Sequence, residues 1–168
     1  MGVNPGASQR HSRDAARAAS EVIELLEVLW ERGREAASPV PVSASQLRVL
    51  YVLDRDEGIN LRTLSEALGS APSSVSRLCD RLQAVGFVER APSPASRREL
   101  ELRLTGRGRT YLRDLRELRE KALAVAIAEM SPTARKALAE GLRGFRTAVD
   151  GVVPWRREGG ANRGVRSA

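Results

Sequence analysis

Ser73, Ser74, Ser76, Arg77 and Arg81 fall in one short run with Asp80 as the only acid among them. Val75, Leu78, Cys79, Leu82 and Val85 thread the same run at helical spacing, which predicts a helix that buries this stripe and presents the serines and arginines opposite it. Small hydroxyl residues near a helix N-terminus let backbone amides approach a phosphate, and an arginine fork fits guanine N7 and O6. A solvated polar face is the competing reading. A second basic pair, Arg97-Arg98, follows in a Pro- and Ser-rich stretch.

Covalent or acid-base chemistry has far less to work with. Catalysis needs a positioned nucleophile, base or metal. The only histidine, His11, lies near the N-terminus, and the sequence holds no GxSxG, Walker or GxGxxG motif. One His and one Cys cannot by themselves build a transition-metal site of N/S ligands, so no metal and no cofactor is expected, and no enzyme. Carboxylate sites stay formally open. Cys79 sits on the apolar stripe, where a free thiol acts as a small hydrophobe. Nearby arginines would be needed to make it an oxidant sensor.

The elements that must hold these residues can be read on either side. Leu61, Leu64, Ala67 and Leu68 predict a short helix, and Gly69-Ser70-Ala71-Pro72 a tight turn into the next one. Two helices joined in this way form a helix-turn-helix. Asn60 is the candidate cap of the first. Ile59 and Leu61 could add a short strand. Phe87–Arg90 and Leu100–Leu104 alternate apolar and polar residues as half-buried strands do, while Pro92–Arg98 reads as a polar, proline-broken tip. The product is a winged helix: mainly α with a small β-hairpin wing. Upstream, Ser43 and Gln46 spell a capping box, with Val42 and Leu47 as its hydrophobic staple and a helix to about Arg55. Downstream, Thr105 can cap a long helix through Met130, in which Gly106 and Gly108 read as a cap and a close backbone approach. Ser131-Pro132 opens a last helix whose Leu138, Leu142, Phe145, Val149 and Val152 alternate steps of four and three.

In order and spacing, QLRVLYVL (Gln46–Leu53), LSEALG (Leu64–Gly69), PSSVSRLCDRL (Pro72–Leu82), GFVER (Gly86–Arg90), Arg97-Arg98 and LRLTGRG (Leu102–Gly108) resemble the MarR family of bacterial transcriptional regulators. The resemblance covers roughly Ser43 to Leu118. It implies a homodimer knitted from terminal helices and a sequence-specific contact with double-stranded DNA. Ser73, Ser74, Ser76 and Arg77 of the reading helix would then lie in the major groove and Arg97 and Arg98 at the minor groove or its phosphates, with Arg81 on the same helix, Arg90 and Arg103 as backbone candidates. It also implies a repressor released by a small-molecule effector, held in a crevice near Trp30 and Tyr51; core packing is the alternative role of these two rings. There are two departures. Family wings commonly read Asp-Pro-x-Asp-Arg-Arg, whereas both acids are serine here, Ser93 and Ser96. Ala71 stands where a Ser or Thr cap is usual, which leaves Ser70 as the candidate cap.

Charge is distributed to match. The chain of 168 residues carries a net charge of +7. From Ala71 to Thr110 eight arginines face four acids, from Glu21 to Ala36 two face five, and Val153–Ala168 adds +3. A basic patch on one segment is the footprint of a polyanion surface. With no apolar run of membrane length and no signal peptide, a cytoplasmic, nucleoid-associated protein is expected, with no membrane partner. The expected organisation is a disordered arm (1–11), a dimerisation helix and linker (12–42), the winged module (43–104), two helices completing the dimer interface (105–152) and a disordered basic tail (153–168). Two rivals remain: an architectural DNA protein without sequence preference, and a protein–protein adaptor with a degenerate winged helix.

Overall fold

The computed structural model describes residues 5–37, 42–93 and 96–152, without the side chains of 5–8, 29, 31–37, 96–98 and 150–152. Six helices and one hairpin follow in order: α1 (Pro5–Ala37), α2 (Ala44–Arg55), α3 (Leu61–Leu68), α4 (Pro72–Ala84), β1 (Val88–Ser93), β2 (Ser96–Leu104), α5 (Gly106–Ala128) and α6 (Pro132–Val152). Among the described residues, no helix is long and apolar enough to cross a membrane.

One core holds the winged module together. Leu50 and Leu53 of α2, Leu64 of α3, Val75, Cys79 and Leu82 of α4, Val88 and Leu104 of the hairpin and Leu112 of α5 are all essentially inaccessible. Each fully buried leucine or valine contributes about 1.5–3 kcal/mol relative to an exposed one. The apolar stripes of α3 and α4 are therefore what fixes the angle of the helix-turn-helix.

Local chemistry sets the ends of the elements. The Ser43–Gln46 capping box opens α2, with both reciprocal bonds formed, and Val42 and Leu47 are buried beside it. Asn60 caps α3 by accepting from the Thr63 amide. Gly69 leaves α3 with φ of 59°, in the left-handed region where a side chain is strained, and Arg48 donates to the freed Leu68 carbonyl. Ser70 does not cap α4: its hydroxyl turns back to the Leu68 carbonyl, Ala71 is the cap residue, and Pro72 fills the first helical position. Thr105 caps α5 through the Gly108 amide while donating to the Gly86 carbonyl. A Cβ on Gly108 would stand 2.2 Å from the Phe87 carbonyl oxygen, so glycine here is a matter of close approach between α5 and the start of the wing.

Two expectations need correcting. Helix α1 starts at Pro5, well before Ser12, and continues through Gly33 to Ala37. Proline suits a first helical turn, and the Ala- and Arg-rich sequence behind it propagates helix well. Residues 1–4 and most of the linker before Val42 lie outside the described residues, as does the basic tail. The hairpin also extends further than the alternation suggested: Pro92 pairs with Leu100 and Ser93 with Ser96 across a register shift between Pro92 and Ser93. A two-stranded ribbon consists of edges only, where proline and a bulge are tolerated. Pro94 and Ala95, between the strands, lie outside the described residues. Ile59 bridges Leu102 on the open side of β2, its carbonyl accepting from the Leu102 amide at 2.8 Å.

Candidate nucleic-acid interface

Helix α4 presents its serines and arginines as the periodicity predicts. Ser73, Ser74, Arg77 and Arg81 are exposed, Ser76 is half-buried, and Val75, Cys79 and Leu82 face inward. Among the described residues, neither Arg77 nor Arg81 has an intramolecular partner, whereas most other described arginines of the module are engaged. No side chain caps α4. The amides of Ser74 and Val75 turn to the Ala71 carbonyl, and the Ser73 amide at the mouth of the helix is left to solvent or a ligand. The partial positive charge of the helix N-terminus and two free guanidinium groups thus share one exposed face.

The wing is tied to this helix. Arg90 donates to Asp80 Oδ1 at 2.6 Å and to Gln83 Oε1 at 3.3 Å, joining β1 to α4. Arg103 pairs with Glu101 at 2.8 Å. Arg90 and Arg103, two of the backbone-contact candidates, are therefore each engaged within the fold. The side chains of Arg97 and Arg98 lie outside the described residues, although their backbones belong to β2.

Cys79 is wholly buried, and burial pushes its thiol up to about 11, against the smaller opposing pull of Arg90. Such a thiol stays protonated at neutral pH and is a poor nucleophile.

A second feature lies above the module. Trp30 of α1 and Tyr51 of α2 converge on Arg119 of α5: the guanidinium carbon sits 4.5 Å from the Trp30 ring centre and 5.9 Å from that of Tyr51. Arg119 also donates to the Tyr51 hydroxyl. Beside it a cavity of about 230 Å³ is walled by Leu26, Trp30, Leu115, Leu118 and Leu123, with Arg119 as its one charged lining residue among the described residues. The Arg119 Nε is buried with no partner among the described residues. Sequence reading missed Arg119, because nothing in its own helix separates it from the other arginines of α5.

Two buried-core helices, an exposed basic face on the second and a hairpin braced against it define a winged helix-turn-helix protein. The MarR family model matches residues 40–99. The chain is 34% identical to RV1404 from Mycobacterium tuberculosis, whose crystal structure superposes with a TM-score of 0.71 over 83% of this chain and 95% of that one. It is 31% identical over 101 residues to the HTH-type transcriptional regulator YfiV of Bacillus subtilis, and 33% identical over 76 residues to the transcriptional repressor MprA of Escherichia coli. These matches take in 60% and 44% of the chain, and 63% and 43% of the relatives' lengths. The chain belongs to the MarR family.

Proposed function

We propose that the protein is a transcriptional regulator that binds double-stranded DNA sequence-specifically as a homodimer, most simply as a repressor on a pseudo-palindromic operator in the cytoplasm. The observation that carries this reading is the exposed face of α4: Arg77 and Arg81 without partners among the described residues, beside an uncapped helix N-terminus, on a helix whose other side is locked into the core. Arg77 reads a base edge, Ser73, Ser74 and Ser76 allow close approach, and Arg81 reaches the backbone. Arg97 and Arg98 serve the minor groove. Phosphate contacts position such a protein and base contacts specify its site. The names of YfiV and MprA support the regulatory role.

A second copy is the natural cover for the exposed apolar residues of α1 and α6, among them Leu25, Val28, Leu142 and Phe145. The Trp30–Arg119–Tyr51 cluster is the place for a small-molecule effector, since it joins α1 and α5, which with α6 make up a stem, to α2 of the winged module.

The test is to select bound fragments from the source genome and measure affinity against competitor DNA. A specific regulator binds its site roughly 10³-fold or more tighter than random duplex. A ratio near one would assign the architectural role instead, and no binding even at low salt would leave the adaptor.

A further inference from the structure

The wing holds a polar cluster that the interface described so far does not use. Ser93, Glu101 and Arg103 project from the same face of the hairpin, since Ala91 pairs with Glu101 and alternate residues share a face. Ser93, at the register shift, is almost fully buried, and its hydroxyl donates to Glu101 Oε1 at 2.6 Å. Arg103 donates to Glu101 Oε2 at 2.8 Å. Both carboxylate oxygens are therefore occupied, and the Glu101 side chain is only 15% exposed.

The cluster is closed from outside the hairpin. Gly58, in the turn between α2 and α3, has φ of 77°, and a Cβ there would stand 2.9 Å from Glu101 Oε2. The turn thus packs directly on the carboxylate. The Ile59–Leu102 bridge pins the same turn to β2. Glu57 in that turn and Glu89 on β1 add negative charge around Arg103, and Glu57 is itself paired with Arg109 at 2.6 Å. The Arg103 Nε is buried with no acceptor among the described residues.

We propose that Glu101 is the positioning residue of the wing: it clamps the last residue of β1 and its own strand to the turn that opens the helix-turn-helix, with Arg103 as its counterion rather than a phosphate contact. The wing carries serine at 93 and 96, and Glu101 supplies from the opposite strand the carboxylate that meets Ser93. The buried hydroxyl at 93 follows from a carboxylate held at this point. The consequence for DNA affinity rests on the DNA-binding reading above; the clamp itself does not.

Amide hydrogen exchange on the full chain tests the clamp without DNA. Losing two charge-assisted hydrogen bonds in Glu101→Ala should speed exchange at Ser93 and Glu99–Leu102 about tenfold, leaving α4 unchanged. Glu101→Gln, which keeps an acceptor for Ser93, should recover part of the protection. Unchanged exchange in Glu101→Ala, or equal loosening of α4 and the wing, would overturn the proposal. Affinity for the selected DNA site gives the second arm. Glu101→Ala should weaken binding, and adding it to Arg98→Ala should cost little more than Arg98→Ala alone, because one acts through the other. Additive losses would overturn the positioning role. If the unsubstituted chain binds no DNA but its exchange pattern behaves as expected, the clamp stands and the DNA reading falls.

Discussion

The winged module and the stem helices are built from similar residues, yet one is sealed and the other open. In the module, most leucines and valines of α2, α3, α4 and the hairpin are buried, while Leu100 is 54% exposed. In the stem, Val22, Ile23, Leu25 and Val28 of α1 are more than half exposed, Val125 of α5 is 71% exposed, and every residue of α6 from Arg135 to Ala148 faces solvent. An apolar surface of that extent marks an interaction site. The contrast teaches that the module buries its own apolar surface, whereas the stem would take its stability from the second copy proposed above. A stem of this kind should stabilise in a concentration-dependent way, and the module should not.

The sharpest way to break this contrast is in the stem. Phe145→Glu would place an unpaired carboxylate in the expected seam, at about 3–5 kcal/mol for each buried charge. The dimer should be lost, and tight DNA binding with it, while the module stays folded. Sedimentation together with far-ultraviolet dichroism checks both halves of the statement. A variant that still sediments as a dimer would move the interface elsewhere.

The complementary change is in the module. Leu82→Ala should lower stability by about 2–5 kcal/mol, the range for a leucine deleted from a packed core. That loss should be the same at low and high protein concentration. Leu25→Ala in the stem should instead show its cost mainly through dissociation. Urea melts at two concentrations separate the two cases.

A smaller effect is expected at the DNA. Arg77→Ala should cost roughly 1–3 kcal/mol on the right operator and relax preference at one or two positions per half-site. A base-by-base affinity profile reads this directly, and an unaltered profile would remove α4 from the major groove.

The smallest effect is one of pH. The Ser93 hydroxyl and then the Arg103 guanidinium hold the Glu101 carboxyl below the usual carboxylate range. A lowered folded pKa contributes stability above the unfolded value, fully present at neutral pH, and loses it as pH falls through the folded value. The wing should therefore keep its exchange protection down to the ordinary carboxylate range near pH ~4 and lose it below. Glu101→Gln should lack that step. Exchange at the hairpin amides, followed against pH, decides.

Periodicity was enough for the parts that depend on neighbours in the chain. The capping box at Ser43, the Asn60 cap, the left-handed exit at Gly69 and the inward stripe of α4 were all readable, because each rests on residues a turn or less apart. So was the exposed face with Arg77 and Arg81. Hydroxyl capping misled at Ser70, whose hydroxyl donates back to the Leu68 carbonyl instead of accepting from an amide of α4, a choice made by the backbone path of the turn. The polar tip hid the extension of the strands, since prolines and a register shift break the alternation there.

What the sequence by itself determined is the set of amphipathic stripes and the turns between them, and through the resemblance to MarR regulators the winged helix and its exposed basic face. The tertiary structure alone decided which arginines are free. Arg77, Arg81, Arg90, Arg103 and Arg119 look alike in the chain, but Asp80 claims Arg90, Glu101 claims Arg103, and Trp30 and Tyr51 close on Arg119. An arginine's role depends on which acid or ring lies within a few ångströms, and the nearest such group comes from the next strand or a distant helix. Only Glu101 and Arg103, two apart on one strand, left a trace of their pairing in sequence. The rest of that choice was made by the packing of the core.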